Sequence, residues 1–504
     1  NREILVKLVH AVTLLFVFLS TSVRAEEAAP TNAELYQLLL KQQAQIEKLE
    51  SRALAAEAEA DRLRTTYVAP TSLASNSDAE SASAAVGRSA AYSYRVLDHA
   101  EGTNIKQRIQ LEALQNGDLP NRVTIGGQVT ALVNYQKANI DTKFGWLTRH
   151  PTPKNQIGKS VSEAVVHSAN LNATAKLTDN LTAYFEMLYN PEQNFASDST
   201  ITGLPRNNVN MRKAYVMWGN LDNSPYYAAV GKMDIPFGWN DTVNPFSNST
   251  SWHSFAGLAY GMNFGYLKDG LHVRAMAIQG GAQFRNANAP VKGSAVPSKL
   301  NNFAFDANYG FSVGDENQAL IGASYQYGSS YCQEYPVKHF NPCEDNNPAV
   351  AIYGTYEAGK LLLQAEFATT TENWPGTFNP INPALAEFGM EKSSAFTLGG
   401  RYSKDIGQSQ PLDLSLEFSR FEAGAEGSPW EKQDQWVLGA SYFVTPSVNI
   451  FGEIVHVDGW VPLNFLSGGN RDPQLTTPIP ELHTSWSDQS SDTDVIVFGV
   501  QAAF

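Results

Sequence analysis

The chain has 504 residues, of which 17% are charged and 11% aromatic, and its formal net charge is −14. That balance excludes the basic footprint of a nucleic-acid-binding protein, and so few charges in so long a chain argue against a set of soluble enzyme domains. After the first 20 residues no apolar run approaches the ~20 residues that a spanning helix needs, so a membrane crossing would have to use strands.

Residues 1–25 read as an export signal. Arg2 and Lys7 are basic, Leu8 to Leu19 is mostly apolar, and Val23-Arg24-Ala25 offers a small-residue cleavage site. Residues 26–64 are expected to form a periplasmic helix. Leu35, Leu39, Gln42, Ile46, Leu49, Ala53, Ala56, Ala60 and Leu63 alternate spacings of four and three, the seam of a coiled coil. Its alanines and Gln42 make a lone helix too weak to stand, so association is expected, with a homotrimer as the candidate assembly. The alternative is a single amphipathic helix lying on another surface. Residues 65–118 begin as a Ser/Ala-rich linker that cannot bury enough apolar surface to fold alone. A short helix is expected over Asn104 to Gln115, stopped by Asn116-Gly117; it could pack below the following domain or enter it.

Residues 119–504 alternate. Leu171, Ala173, Ala175 and Leu177 stand against Asn170, Asn172, Thr174 and Lys176, and after Asp179-Asn180 the pattern resumes with Leu181, Ala183, Phe185 and Met187. Leu412, Leu414, Leu416 and Phe418 repeat it, as do Trp436, Leu438, Ala440 and Tyr442. A period of two gives each strand one apolar and one polar face. Sixteen such segments can be marked, separated alternately by short and long connections. That is the layout of an even barrel with both ends on the short-turn side. The fold expected is all-β: a 16-stranded antiparallel transmembrane β-barrel with an N-terminal α-helical, coiled-coil extension. The last strand alternates through Ile496, Phe498, Val500 and Ala502 to Phe504. This ending resembles the signal by which outer-membrane barrels are recognised for insertion. Tyr226, Tyr227, Tyr260, Tyr266, Tyr325, Tyr327 and Tyr442 gather near strand ends, where girdles form at the two interfaces.

If the apolar parity faces lipid, the other faces a wet pore. Its expected lining includes Lys176, Tyr184, Glu186, Lys232, His272, Arg274, Asp306, Glu366, Arg401, Asp413, Glu417 and Glu453. Strand four is ambiguous, so Arg212 and Lys213 have no assigned direction. Pro236 and Gly238 end strand five, and the loop after that strand commonly turns inward in porins. Trp239, Asp241, Asn244, Trp252 and His253 are therefore candidates for a constriction. Cys332 and Cys343 share one long loop, where an oxidising compartment would pair them. No nucleophile elbow, phosphate loop or metal-spaced His/Cys cluster is present in the sequence, so neither catalysis, cofactor nor metal is expected.

The stretch from Ala214 to Gly238, with its turn Gly219-Asn-Leu-Asp-Asn-Ser-Pro225 and its ending Pro236-Phe-Gly238, resembles the LbtU-type siderophore porins. That resemblance implies an outer-membrane channel for small polar solutes and a TonB-independent route for a ferric siderophore. A non-specific diffusion channel and a structural membrane anchor stand as alternatives.

Overall fold

The computed structural model describes residues 85–141, 143–146, 158–189, 209–279, 299–314, 316–332, 346–378, 385–406, 410–461 and 487–504. The expected signal, coiled coil and most of the linker (residues 1–84) lie outside them.

Sixteen strands follow one another around a closed sheet. The first eight are β1 Val123–Ala138, β2 Ser160–Thr178, β3 Leu181–Tyr189, β4 Val209–Gly219, β5 Tyr226–Asp234, β6 Leu258–Lys268, β7 Leu271–Gln279 and β8 Leu300–Val313. The rest are β9 Asn317–Gln326, β10 Ala349–Ala358, β11 Leu361–Thr370, β12 Ser394–Lys404, β13 Leu412–Glu422, β14 Lys432–Thr445, β15 Val448–Trp460 and β16 Asp488–Ala503. Each pairs antiparallel with its neighbours in sequence. β16 closes on β1, with Phe498 opposite Val133 and Ile496 opposite Tyr135. Closure leaves no edge and pairs the ladder hydrogen bonds all round, the condition for strands in hydrocarbon.

Alternation sorts the side chains as expected. Ile352 and Phe498 are 62% and 61% exposed on the outer surface, whereas Asp306 and Thr397 are fully buried inside. Such a belt of exposed Leu, Ile, Val and Phe is far too apolar for an aqueous surface. Large rings cover inward glycines on neighbouring strands. A Cβ on Gly265 would meet the Tyr227 ring at 2.0 Å, and one on Gly322 would meet Tyr353 at 2.3 Å.

The segment before the barrel is inside it. Val86–Gly87 pairs in parallel with Val123–Thr124 of β1. From there α1 (Ala90–Leu97) and α2 (Lys106–Gln115) form a hairpin in the lumen. The second helix matches the expected one; the first was not foreseen. Tyr92, Val96, Leu97, Ile109 and Leu111 share a buried cluster with wall residues Tyr215, Met217, Tyr227, Ala229 and Met233.

This filling overturns the parity rule on β5. Tyr227 points inward, where its hydroxyl pairs with His272 Nε2 at 2.8 Å, and is not part of the girdle. Lys232 shares the outward face with exposed Tyr226 and Val230, contrary to the expectation that it lines the pore. Its ammonium lies 5.9 Å from the Tyr260 ring centre and donates to Met211 O at 3.0 Å. The inner face of β5 is apolar because it meets a helix hairpin rather than water, so hydropathy could not tell the two faces apart there.

Candidate functional site: the lumen and the two segments inside it

The loop between β5 and β6 crosses the lumen. Its six-residue helix α3 (Thr250–Phe255) is capped by Ser249, whose hydroxyl accepts from Trp252 N at 3.1 Å. Three wall glutamates fix the loop. Glu366 on β11 accepts the Trp239 and Asn240 N–H groups, both at 2.9 Å. Glu417 on β13 accepts from Thr242 Oγ1 at 2.8 Å, Val243 N at 3.1 Å and Asn244 Nδ2 at 3.1 Å. Glu453 on β15 accepts the Phe246 and Ser247 N–H groups at 2.8 and 2.9 Å. Bonds to a carboxylate are roughly twice as strong as neutral ones, so the loop is held across the barrel rather than resting in it.

The residues named as constriction candidates lie inside the barrel. Trp239 stacks on Tyr353 with ring centres 5.6 Å apart. Asp241, Asn244, Trp252 and His253 are buried. Above α3 an aromatic group spans several long connections: Tyr331 lies 4.9 Å from Trp374 and 5.2 Å from Phe255, and its hydroxyl donates to Ser254 O at 2.7 Å. Cys332 next to it is buried and disulfide-bonded; Cys343 lies outside the described residues.

The remaining lining candidates all face inward but do different jobs. Arg274 on β7 and Asp306 on β8 are an internal ion pair at 2.7 Å, and Asp306 also accepts from Ser324 and Tyr353 hydroxyls, each at 2.7 Å. Arg274 donates as well to the Asn104 carbonyl of the hairpin. Lys176 donates to Leu119 O at 2.7 Å near the short-turn rim. Arg401 pairs with Glu101 of the hairpin, and Asp413 accepts from Ser403 Oγ at 2.6 Å. The ambiguity on β4 has a physical cause. A bulge opposite Glu186/Met187 turns both Arg212 and Lys213 toward the lumen, where Arg212 approaches Glu186 at 3.7 Å and Lys213 meets Asp234 at 2.6 Å.

Hairpin and loop are joined to each other. Asp241 accepts from Gly102 N at 2.8 Å, Thr103 N at 2.9 Å and Thr103 Oγ1 at 2.8 Å. Asn104 Nδ2 donates to Phe237 O and Gly238 O at 3.0 and 2.7 Å. Burial pushes the Asp241 carboxyl up to about 6, against the pull of those donors and of Lys106. Burial likewise brings Lys106 down to about 8. No signal in the sequence marks Asn104 or Lys106, whose acceptors are backbone carbonyls, or Thr103, whose main partner Asp241 lies 138 positions along the chain.

Between hairpin, loop and the opposite wall remains a cavity of about 720 Å³. Arg401, Asp413 and Glu357 of the wall, Glu101 and Arg108 of the hairpin and Trp239 of the loop help to line it. Among the described residues no three His, Cys, Asp or Glu side chains converge as a metal site.

Fold and lumen together define the class: a closed 16-stranded antiparallel barrel with a charged interior, an inward loop and an internal N-terminal hairpin. No protein-family model matches the chain, and no curated protein does. Among solved structures it is similar to the anion-selective porin from Comamonas acidovorans, at 13% identity and a TM-score of 0.45 over 76% of this chain and 99% of that one. It is similar also to the outer membrane channel DcaP of Acinetobacter baumannii, at 14% identity and a TM-score of 0.47 over 76% of this chain and 97% of that one. A third is OprB of Pseudomonas putida, at 9% identity and a TM-score of 0.47 over 80% of this chain and 99% of that one.

Proposed function

We propose that the protein is an outer-membrane channel through which small polar solutes enter. One observation carries this: strands with an exposed apolar outer face enclose a wall of charged and hydrogen-bonding side chains. Such a cylinder separates hydrocarbon from water, and its interior is the only polar route through it. The disulfide-bonded Cys332 accords with an oxidising periplasm and cell surface. The inward loop and hairpin occupy much of the lumen, which favours selective passage over general diffusion.

The narrower reading, uptake of a ferric siderophore, draws on the local resemblance of residues 214–238. The heptad seam in residues 26–64 supports a periplasmic coiled coil and a trimer. Planar-bilayer recording of the full chain tests the channel: discrete conductance steps are expected, and a folded, inserted protein without any would refute it. Block by a ferric siderophore at micromolar concentration would support the narrower reading; unaffected current at saturating siderophore would reject it. Loss of the trimer on removing residues 32–64, with conductance kept, is the expected sign of a coiled coil that serves assembly.

A further inference from the structure

We propose that residues 88–122 are a retractable plug, docked in the lumen by a latch between the turn at residues 102–104 and the inward loop. The proposal rests on the channel reading and adds how that channel closes.

Three observations point to it. The first is topological. Val86–Gly87 and Val123–Thr124 pair side by side at the short-turn rim, so the hairpin enters and returns at one place. It can leave without threading the chain and without parting a barrel strand. The second is that the hairpin carries its own ties. Lys106 Nζ donates to Arg95 O, Asp98 O and Glu101 O at 2.9, 2.7 and 3.0 Å, and Arg108 pairs with Glu112 at 2.6 Å. These bonds join hairpin to hairpin and travel with it.

The third is the contrast between its seam and that of the loop. The loop is gripped by three carboxyl groups, each accepting at least two donors. The two helices of the hairpin meet the wall mainly through the apolar cluster and neutral bonds, such as Tyr92 with Thr174 at 2.8 Å and Tyr94 with Gln501 at 2.9 Å, and the end of the segment takes one charged bond, from Lys176 to Leu119 O at 2.7 Å. Along that seam Ser93 Oγ, Gln110 Oε1, Thr124 Oγ1 and both amide atoms of Asn172 are buried without a hydrogen-bond partner. Water would satisfy all of them on release, which offsets part of the cost of exposing the apolar cluster that the hairpin shares with the wall. Docking combines that apolar burial, which has no fixed orientation, with charged contacts that fix the turn in place: Asp241 on Gly102 and Thr103, Arg274 on Asn104, and Arg401 on Glu101.

The test is single-channel recording of the full chain. Asp241→Ala leaves the Gly102 and Thr103 N–H groups without their acceptor, while the Thr103 hydroxyl keeps the Asn240 carbonyl, and open probability should rise at least about tenfold, the factor that ~1.4 kcal/mol corresponds to. A second variant locks the plug. A Cβ on Gly126 would lie 2.7 Å from the Ser93 Cβ, so Ser93→Cys with Gly126→Cys brings two thiols within reach of a disulfide after a shift of about 1 Å. Once mass spectrometry confirms the bond, the oxidised channel should stay closed. Reductant should restore the level of wild-type protein given the same reductant. An oxidised pair that conducts like wild type, or an Asp241→Ala channel with unchanged open probability, overturns the plug. Silence in every variant, including one lacking residues 88–121, would instead overturn the channel reading.

Discussion

Glu417→Ala is the sharpest probe of how the lumen is built. Its carboxyl accepts Thr242 Oγ1 and Val243 N on one oxygen and Asn244 Nδ2 on the other. Removing it orphans all three donors at once. At roughly 1–1.5 kcal/mol net each, partly refilled by water entering the space, the middle of the loop should lose about 2–4 kcal/mol of local stability. Val243, fully buried against Gly399, would lose its seat as well. Glu366 and Glu453 still hold either side, so the effect should stay within residues 241–245. Hydrogen exchange followed by mass spectrometry should show amides there exchanging roughly 30- to 700-fold faster, with peptides from β13 unchanged. Asp405→Ala, which removes an exposed partner of Lys360, is the control and should leave the loop as it was. Exchange within twofold of wild type at 241–245 in Glu417→Ala would refute the view that wall carboxyls fix the loop.

Other consequences can be measured in the same preparations. Asp241 titrates near 6 when docked, above its ordinary 3.8, because burial outweighs the bonds from Gly102 and Thr103 and the charge of Lys106, while Glu366 also faces it. The docked state therefore holds a proton more tightly than a released one. Acidification from pH 7 to 4 should favour closure, and Asp241→Asn should flatten that dependence in open-probability recordings. Asp413→Asn should move the reversal potential in a salt gradient toward anions, whereas Lys232→Ala should leave it unmoved, since Lys232 faces outward; equal shifts would contradict the assigned register. Gly265→Ala should push the Tyr227 ring off β6 and strain its bond to His272, lowering stability by about 1–3 kcal/mol. A lower temperature for losing the folded mobility on gels would report it.

The barrel was legible because each strand answers to two solvents. Wherever the inner face is polar, whether it meets water or the segments inside the barrel, the period of two marks both strand and direction, as at Asn170 to Leu177 or Leu412 to Phe418. Long and short connections then separated the two rims without further information. The rule failed on β5, where Tyr227, Ala229 and Met233 meet the apolar side of the hairpin, so both parities read as lipid-facing and Lys232 was turned the wrong way. It gave no answer on β4 because a bulge breaks the period between Arg212 and Lys213.

The interior was legible only as a list of charges. Glu366, Glu417 and Glu453 could be placed on the lumen side, yet nothing in their spacing says that they hold a loop. Their partners are mostly backbone N–H groups of residues 239–247, and every residue but proline supplies one. The three lie on β11, β13 and β15, more than 100 positions along the chain from those donors. The same blindness covers Lys106, whose three acceptors are carbonyls. A lumen charge in such a barrel therefore has two possible uses, facing a solute or fastening a segment, and sequence parity cannot separate them. Counting the donors around each carboxyl can: Glu417 has both oxygens engaged by the loop, while Asp413, which accepts from Ser403 on its own wall, borders the cavity. On that criterion selectivity should follow Asp413 and Arg401, and closure should follow the turn at 102–104.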